Sequence, residues 1–100
     1  MASLHVLTYA YVDDIVELRA PHREAHLAHI ERWRSERGLA MAGATGDPPT
    51  GALFIFEADS ADEVREFAQA DPYVAAGLVT AAMIEPWTLV AHRDLDRPGD

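Results

Sequence analysis

The stretch Thr45-Gly46-Asp47-Pro48-Pro49-Thr50-Gly51 holds two prolines, two glycines and an aspartate, so it reads as a turn region and nothing else. It cuts the chain into halves that each read strand, helix, strand. In the first half, Leu4 to Tyr11 is rich in β-formers. Leu4, Val6, Thr8 and Ala10 take one face, and His5, Leu7, Tyr9 and Tyr11 take the other. Pro21 suits a first helical position, where a missing N–H costs nothing. A helix is expected from Pro21 to Arg37, stopped by Gly38 as a C-terminal glycine. Leu39 to Ala44 is a short, small-residued strand.

In the second half, Ala52 to Ala58 is the clearest strand, with Phe54 and Phe56 on one face and Leu53, Ile55 and Glu57 on the other. Ser60-Ala61-Asp62-Glu63 is a capping box, opening a helix through about Ala70 with Val64, Phe67 and Ala68 as its buried stripe. Asp71-Pro72 ends it, because the residue before a proline resists the helical conformation. A turn of helix through Ala76, closed by Gly77, precedes a last strand from Val79 to His92. Pro86 interrupts that strand and places it at a sheet edge or on a bulge.

The order is that of an α+β, ferredoxin-like βαββαβ domain with a four-stranded antiparallel sheet, spanning residues 1–92 with a polar tail at 93–100. Two helices cover one face of such a sheet. The strands nevertheless carry apolar side chains on both faces: Tyr9 against Val6, Phe54 against Ile55, Trp87 against Val90. The uncovered face needs a partner, and a second copy of the chain is the simplest one, so a homodimer packed sheet to sheet is expected, with higher oligomers left open.

Charge narrows the function. A net −9 argues against nucleic acid and anionic membranes, which require a basic footprint. The chain has no cysteine, which removes thiolate metal sites and cysteine nucleophiles, and no lysine, which removes Schiff-base chemistry. No apolar run approaches a membrane span and no signal pattern opens the chain, which points to the cytoplasm. The 46–51 loop lacks a phosphate-binding fingerprint, and Ser60 is accounted for by capping.

What remains is Pro21-His22-Arg23-Glu24-Ala25-His26-Leu27. At about 100° per residue, Leu27, Ile30 and Trp33 define a buried stripe. His26 falls inside it, His22 and His29 lie on its edge toward solvent, and Arg23 projects toward it one turn before Leu27. An imidazole in that setting is either a core histidine satisfied by a carboxylate or a proton shuttle, and both readings stand at this point. Three histidines on one helical face invite a metal. Three ligands from one straight helix spread too far along its axis to converge, however, and Glu24 points away from His22 and His26, unlike the glutamate of zinc proteases. Trp33 and Trp87 read as core.

These motifs, in their order, resemble the YciI-like family within the dimeric α/β-barrel group. The resemblance covers residues 5–92. It rests on Arg23-Glu24-Ala25-His26-Leu27, Gly38, Ala42-Gly43, Asp71-Pro72-Tyr73, Ala76-Gly77-Leu78 and Ile84-Glu85-Pro86-Trp87. Ala44 departs from it, standing where the family often has proline. The resemblance implies a pocket with a His–Asp pair used for acid–base chemistry; some relatives have been linked to dehydrochlorination of chlorinated hydroxylated aromatics. Carried over, the pair is His26 and Asp71, with Arg23 nearby. Read from the residues, Arg23 either clamps a phenolate, enolate or carboxylate or forms a salt bridge, and Tyr73 either lends its hydroxyl to the pocket or is a buried aromatic, so both stand as substrate-binding candidates. The expectation is a small lyase or isomerase that needs no cofactor and no metal and acts on an oxygenated cyclic or aromatic molecule. The alternative is a ligand-binding or accessory module without turnover.

Overall fold

The computed structural model describes residues 3–95. Four strands, β1 (Ser3–Tyr11), β2 (Leu39–Thr45), β3 (Gly51–Ala58) and β4 (Val79–Pro86), form one antiparallel sheet in the order β2-β3-β1-β4. This is the ferredoxin-like arrangement, with β1 and β3 central and β4 at an edge, where Pro86 costs least.

The period-2 pattern holds through the centre of the sheet. His5 pairs with Phe56, Leu7 with Phe54 and Tyr9 with Ala52, and all six are buried against the helices. Their neighbours Val6, Thr8, Leu53 and Ile55 turn to the other face. A register shift between Leu39 and Met41 lets Leu39 sit in the core while Met41 lies opposite Ile55 on the uncovered face.

The main helices are α2 (Arg23–Glu36) and α3 (Ala61–Gln69), joined by the short α1 (Ile15–Leu18) and α4 (Pro72–Ala75). Helix α1, which strand propensity and turn signals do not reveal, exists because Ile15 is buried against Tyr73 and Leu78 in a small second core. Pro21 sits in a tight 3₁₀ turn, Ala20–His22, and not in α2 itself. The main core gathers Leu7, Tyr9, Trp33, Phe54, Phe56, Val64 and Phe67. Phe67 is its hub, with ring centroids 5.2–5.4 Å from Phe54, Phe56 and Trp33.

Several expectations are corrected. The stripe of α2 is His26, His29 and Trp33; Leu27 is 47% exposed, and His29 is buried rather than solvent-facing. Helix α3 buries Val64, Phe67 and Ala68 as expected, but the Ser60 side chain makes no capping hydrogen bond. Gly38 is not left-handed. It is required because a Cβ there would collide with the carbonyl of Glu57, whose N–H donates to Gly38 O at 2.7 Å. Left-handed backbone occurs at Gly46 and Gly77, each closing a turn. Strand β4 ends at Pro86, not His92. Trp87 is 41% exposed and Val90 92% exposed, so neither belongs to this chain's core. The tail beyond Asp94 lies largely outside the described residues.

Candidate active site

The site is assembled from three elements. Strand β1 runs under the helices and presents Tyr9 upward from its covered face. Helix α2 crosses that face and lowers His26 toward Tyr9. The corner between α3 and α4 supplies Asp71, whose extended backbone (φ −73°, ψ 124°) ends one helix and caps the next. The Asp-Pro pair forces that corner, because Asp71 cannot remain helical before Pro72.

Asp71 is fully buried and accepts three hydrogen bonds. His26 Nδ1 lies 2.7 Å from Oδ1, the Tyr73 backbone N–H donates to Oδ1 at 3.0 Å, and the Tyr9 hydroxyl donates to Oδ2 at 2.9 Å. A buried carboxylate is tolerated only with partners of this kind. The bond to Tyr73 N–H is the ordinary N-cap role of an aspartate, so structural and chemical duties fall on one side chain. Burial, then the Asp71 charge and hydrogen bond, push the Tyr9 phenol far above its ordinary range, so it stays a donor.

An ionised carboxylate accepts only, so Nδ1 of His26 carries the proton toward Asp71 and Nε2 is left with its lone pair. Nε2 makes no hydrogen bond with the described residues, and it is not among the polar atoms sealed from solvent. The imidazole lies flat on the Tyr73 ring, 3.6 Å between centroids and 7° between planes. Stacking and the Asp71 bond together fix the ring's position and tautomer.

Tyr73 therefore serves as a shelf for His26. Its own hydroxyl is sealed and has no partner among the described residues. Arg23, three residues before His26, is exposed and pairs with no carboxylate among the described residues; the salt bridge that an acid-rich chain offers it is not formed. His22 is half-buried. His29 gives its Nε2 proton to the Phe67 carbonyl at 2.9 Å while His26 faces Asp71, and no group of three or more potential metal ligands gathers among the described residues.

Tyr9 is the participant that the motif reading missed. Its signal was available: a tyrosine on the helix-covered face of a strand must place its hydroxyl somewhere, and buried phenols find a partner. A cavity of about 390 Å³ opens at the end of β1, lined by Tyr11, Val12, Asp13, Asp14, Ile15, Val16, Glu17 and the Pro48–Thr50 turn. It does not touch His26 or Asp71. Tyr11 stands between them, its ring 6.0 Å from that of Tyr73 and 6.2 Å from that of Tyr9.

Residues 3–88 match the YCII-related domain family. The chain is 35% identical over 86 residues to Protein YciI of Escherichia coli, covering 77% of this chain and 88% of that one. It is 37% identical over 68 residues to the uncharacterised YjpA of Bacillus subtilis, covering 68% and 78%. Among solved structures it resembles 5-chloro-2-hydroxyhydroquinone dehydrochlorinase (TftG) of Burkholderia phenoliruptrix, in complex with 2,5-dihydroxybenzoquinone. That match has a TM-score of 0.75 at 30% identity and covers 91% of this chain and 99% of that one. By the extent of the domain match and the 35% identity to YciI, the chain belongs to the YCII-related family.

Proposed function

We propose that this protein is a cofactor-independent acid–base enzyme, a lyase or isomerase acting on a small oxygenated cyclic or aromatic molecule. The observation that carries the reading is the asymmetry of His26: Nδ1 is held by a sealed carboxylate while Nε2 is left unpaired. A base made this way needs no metal and no nucleophile. Nε2 removes a proton from substrate, and Asp71 stabilises the imidazolium that forms. The electron pair left on the substrate either expels a leaving group such as chloride or is reprotonated at another carbon. Both outcomes are redox-neutral. The unpaired Arg23 guanidinium steadies the negative charge that develops on oxygen.

The likeness to a dehydrochlorinase supports elimination as the first chemistry to try. Chloride release from 5-chloro-2-hydroxyhydroquinone, followed with wild type and His26→Gln, tests it. Loss of release in the variant supports the base; equal rates in both would remove it. The separation of the 390 Å³ cavity from His26 favours a second reading, ligand binding without turnover. That reading expects His26→Gln to bind 2,5-dihydroxybenzoquinone as wild type does, with no reaction in either.

The same proposal includes a homodimer. Met41, Leu53 and Met83 are exposed on the uncovered sheet face, around the nearly buried Ile55. A second copy would cover them and close the two sheets face to face. A monomer in sedimentation at micromolar concentration would refute it.

A further inference from the structure

Three donors hold Asp71, and they divide unevenly between its two oxygens. Oδ1 faces both His26 Nδ1 and the Tyr73 backbone N–H, whereas Oδ2 has the Tyr9 hydroxyl alone, at 2.9 Å. The Tyr73 N–H follows from the cap geometry of the corner. The Tyr9 bond has no such local cause, since it joins residues 62 positions apart.

The sheet brings that hydroxyl to the corner. Tyr9 pairs with Ala52 on β3 and with Ala82 on β4, so the residues beside it on the covered face are both small. Its ring is 2% exposed and stands edge-on to Phe54, 4.9 Å between centroids. Packing therefore holds the ring with or without its oxygen. Burial, then the Asp71 charge, keep the phenol protonated far above its ordinary range, so Tyr9 donates to the carboxylate and does not compete with it as the anion. Tyr73 keeps its hydroxyl sealed, Tyr11 stands one ring further off, and Arg23 lies one turn before His26 on α2. None of these three gives Asp71 a side-chain hydrogen bond among the described residues.

When His26 acts as a base, Nε2 gains a proton from the substrate while Nδ1 keeps its own. The Nδ1 proton then has two resting places along the 2.7 Å contact with Oδ1. On nitrogen, it leaves Asp71 charged and the ring an imidazolium, an acid able to deliver the Nε2 proton. On oxygen, it leaves both groups neutral, and a neutral imidazole is a far weaker acid. Burial favours the neutral pair, and every hydrogen bond to the carboxylate favours the charged one. We propose that Tyr9 is a positioning residue which, through its bond to Oδ2, keeps the negative charge on Asp71 and so keeps the abstracted proton deliverable from His26. This rests on the proposed function and deepens it, since it names what governs the same base. Tyr9 acts through Asp71 and does not meet the substrate.

The test is Tyr9→Phe, which retains the ring and removes only the donor. The Nδ1–H proton resonance of His26 should move downfield in the variant, because a carboxylate stripped of one donor pulls harder on the proton that remains. Activity that needs His26 unprotonated should lose its acid limb at a higher pH. In chloride release from 5-chloro-2-hydroxyhydroquinone that limb should move up by about one pH unit, the scale of one hydrogen bond to a charged group. In an Asp71→Asn background, Tyr9→Phe should move neither readout, since no carboxylate charge is left to hold. A Nδ1–H resonance at the same field in wild type and Tyr9→Phe, a rate that falls with its acid limb in place, or a shift that persists at full size in Asp71→Asn would overturn the assignment. The resonance is read without substrate and decides the matter even where no chloride is released. Failure of the acid–base reading, seen as equal chloride release by wild type and His26→Gln, is therefore scored separately.

Discussion

His26 and His29 are both buried, both on the same face of α2, and only three residues apart, yet the fold uses them in opposite ways. His26 faces the α3–α4 corner, where a sealed carboxylate holds one nitrogen and leaves the other unpaired. His29 faces the middle of α3, where its Nε2 proton satisfies the Phe67 carbonyl and its ring stacks on Phe67 at 4.6 Å. The first imidazole is positioned by a charge, the second by a backbone dipole and an aromatic neighbour. A buried histidine thus says little by itself; the partner on its inner nitrogen decides what it can do.

The sharpest way to break this comparison is to remove each imidazole in turn. His26→Gln should lower turnover of a proton-transfer substrate by about 10²–10⁴-fold, the usual worth of a positioned acid–base group. His29→Gln should leave turnover within about threefold. Chloride release from 5-chloro-2-hydroxyhydroquinone measures both. Equal losses would mean that the two histidines serve the same end.

The contrast between them was only partly legible in the chain. Helical spacing placed His26 inward, and Asp71-Pro72-Tyr73 marked a corner that could meet it. Spacing also put Leu27 inside and His29 at the edge, and there it failed. Apolar residues alone locate a helix face poorly when the buried side is carried by histidines. His26, His29 and Trp33 recur at helical intervals, but two of the three are polar by composition. The sheet was read more fully, because β1 and β3 are rich in β-formers and the turns between elements are marked by proline and glycine. Tyr9 was assigned to the correct strand face, but its link to Asp71 spans 62 positions, and no local pattern encodes a contact of that kind. Helix α1 escaped for the same reason: Ile15 is held by Tyr73 and Leu78, far along the chain.

The second test asks whether the Phe67 end is structural alone. Phe67 is fully buried and touches His29, Trp33, Phe54 and Phe56. Phe67→Ala should cost about 3–5 kcal/mol in urea unfolding, while the protein that remains folded in dilute buffer keeps its turnover. A large kinetic defect in the folded fraction would extend the site to this end of the seam.

The Asp71 end has an alkaline signature that the Phe67 end lacks. Tyr9 is held neutral in the folded state well above the pH at which it ionises in the unfolded chain, and Tyr11 up to about 12. Between the two pKa values the unfolded state has lost a proton that the folded state retains. Stability is therefore full below about pH 10 and falls as pH rises beyond it. The loss attributable to Tyr9 should approach about 1.4 kcal/mol per pH unit. Tyr9→Phe should flatten that limb of the stability–pH curve, at a cost of about 1 kcal/mol near neutrality for the lost bond to Asp71. An unchanged alkaline slope would show that the Tyr9 hydroxyl is not sealed against the carboxylate.

The smallest expected effect involves no energy difference at all, and it reads the comparison most directly. A carboxylate on Nδ1 and a carbonyl on Nε2 demand opposite tautomers, because each acceptor requires the proton on the nitrogen it faces. Neutral His26 should therefore carry its proton on Nδ1, and neutral His29 on Nε2. Long-range ¹H–¹⁵N correlation spectra distinguish the two directly. Asp71→Asn should release His26 from its tautomer while leaving His29 untouched, since the amide can turn its NH₂ toward the ring as readily as its oxygen. If both residues show the Nε2–H form in wild type, Nε2 of His26 is a donor and not a base. The proton would then have to be removed by another group, and the geometry at Asp71 would describe a well-satisfied core histidine.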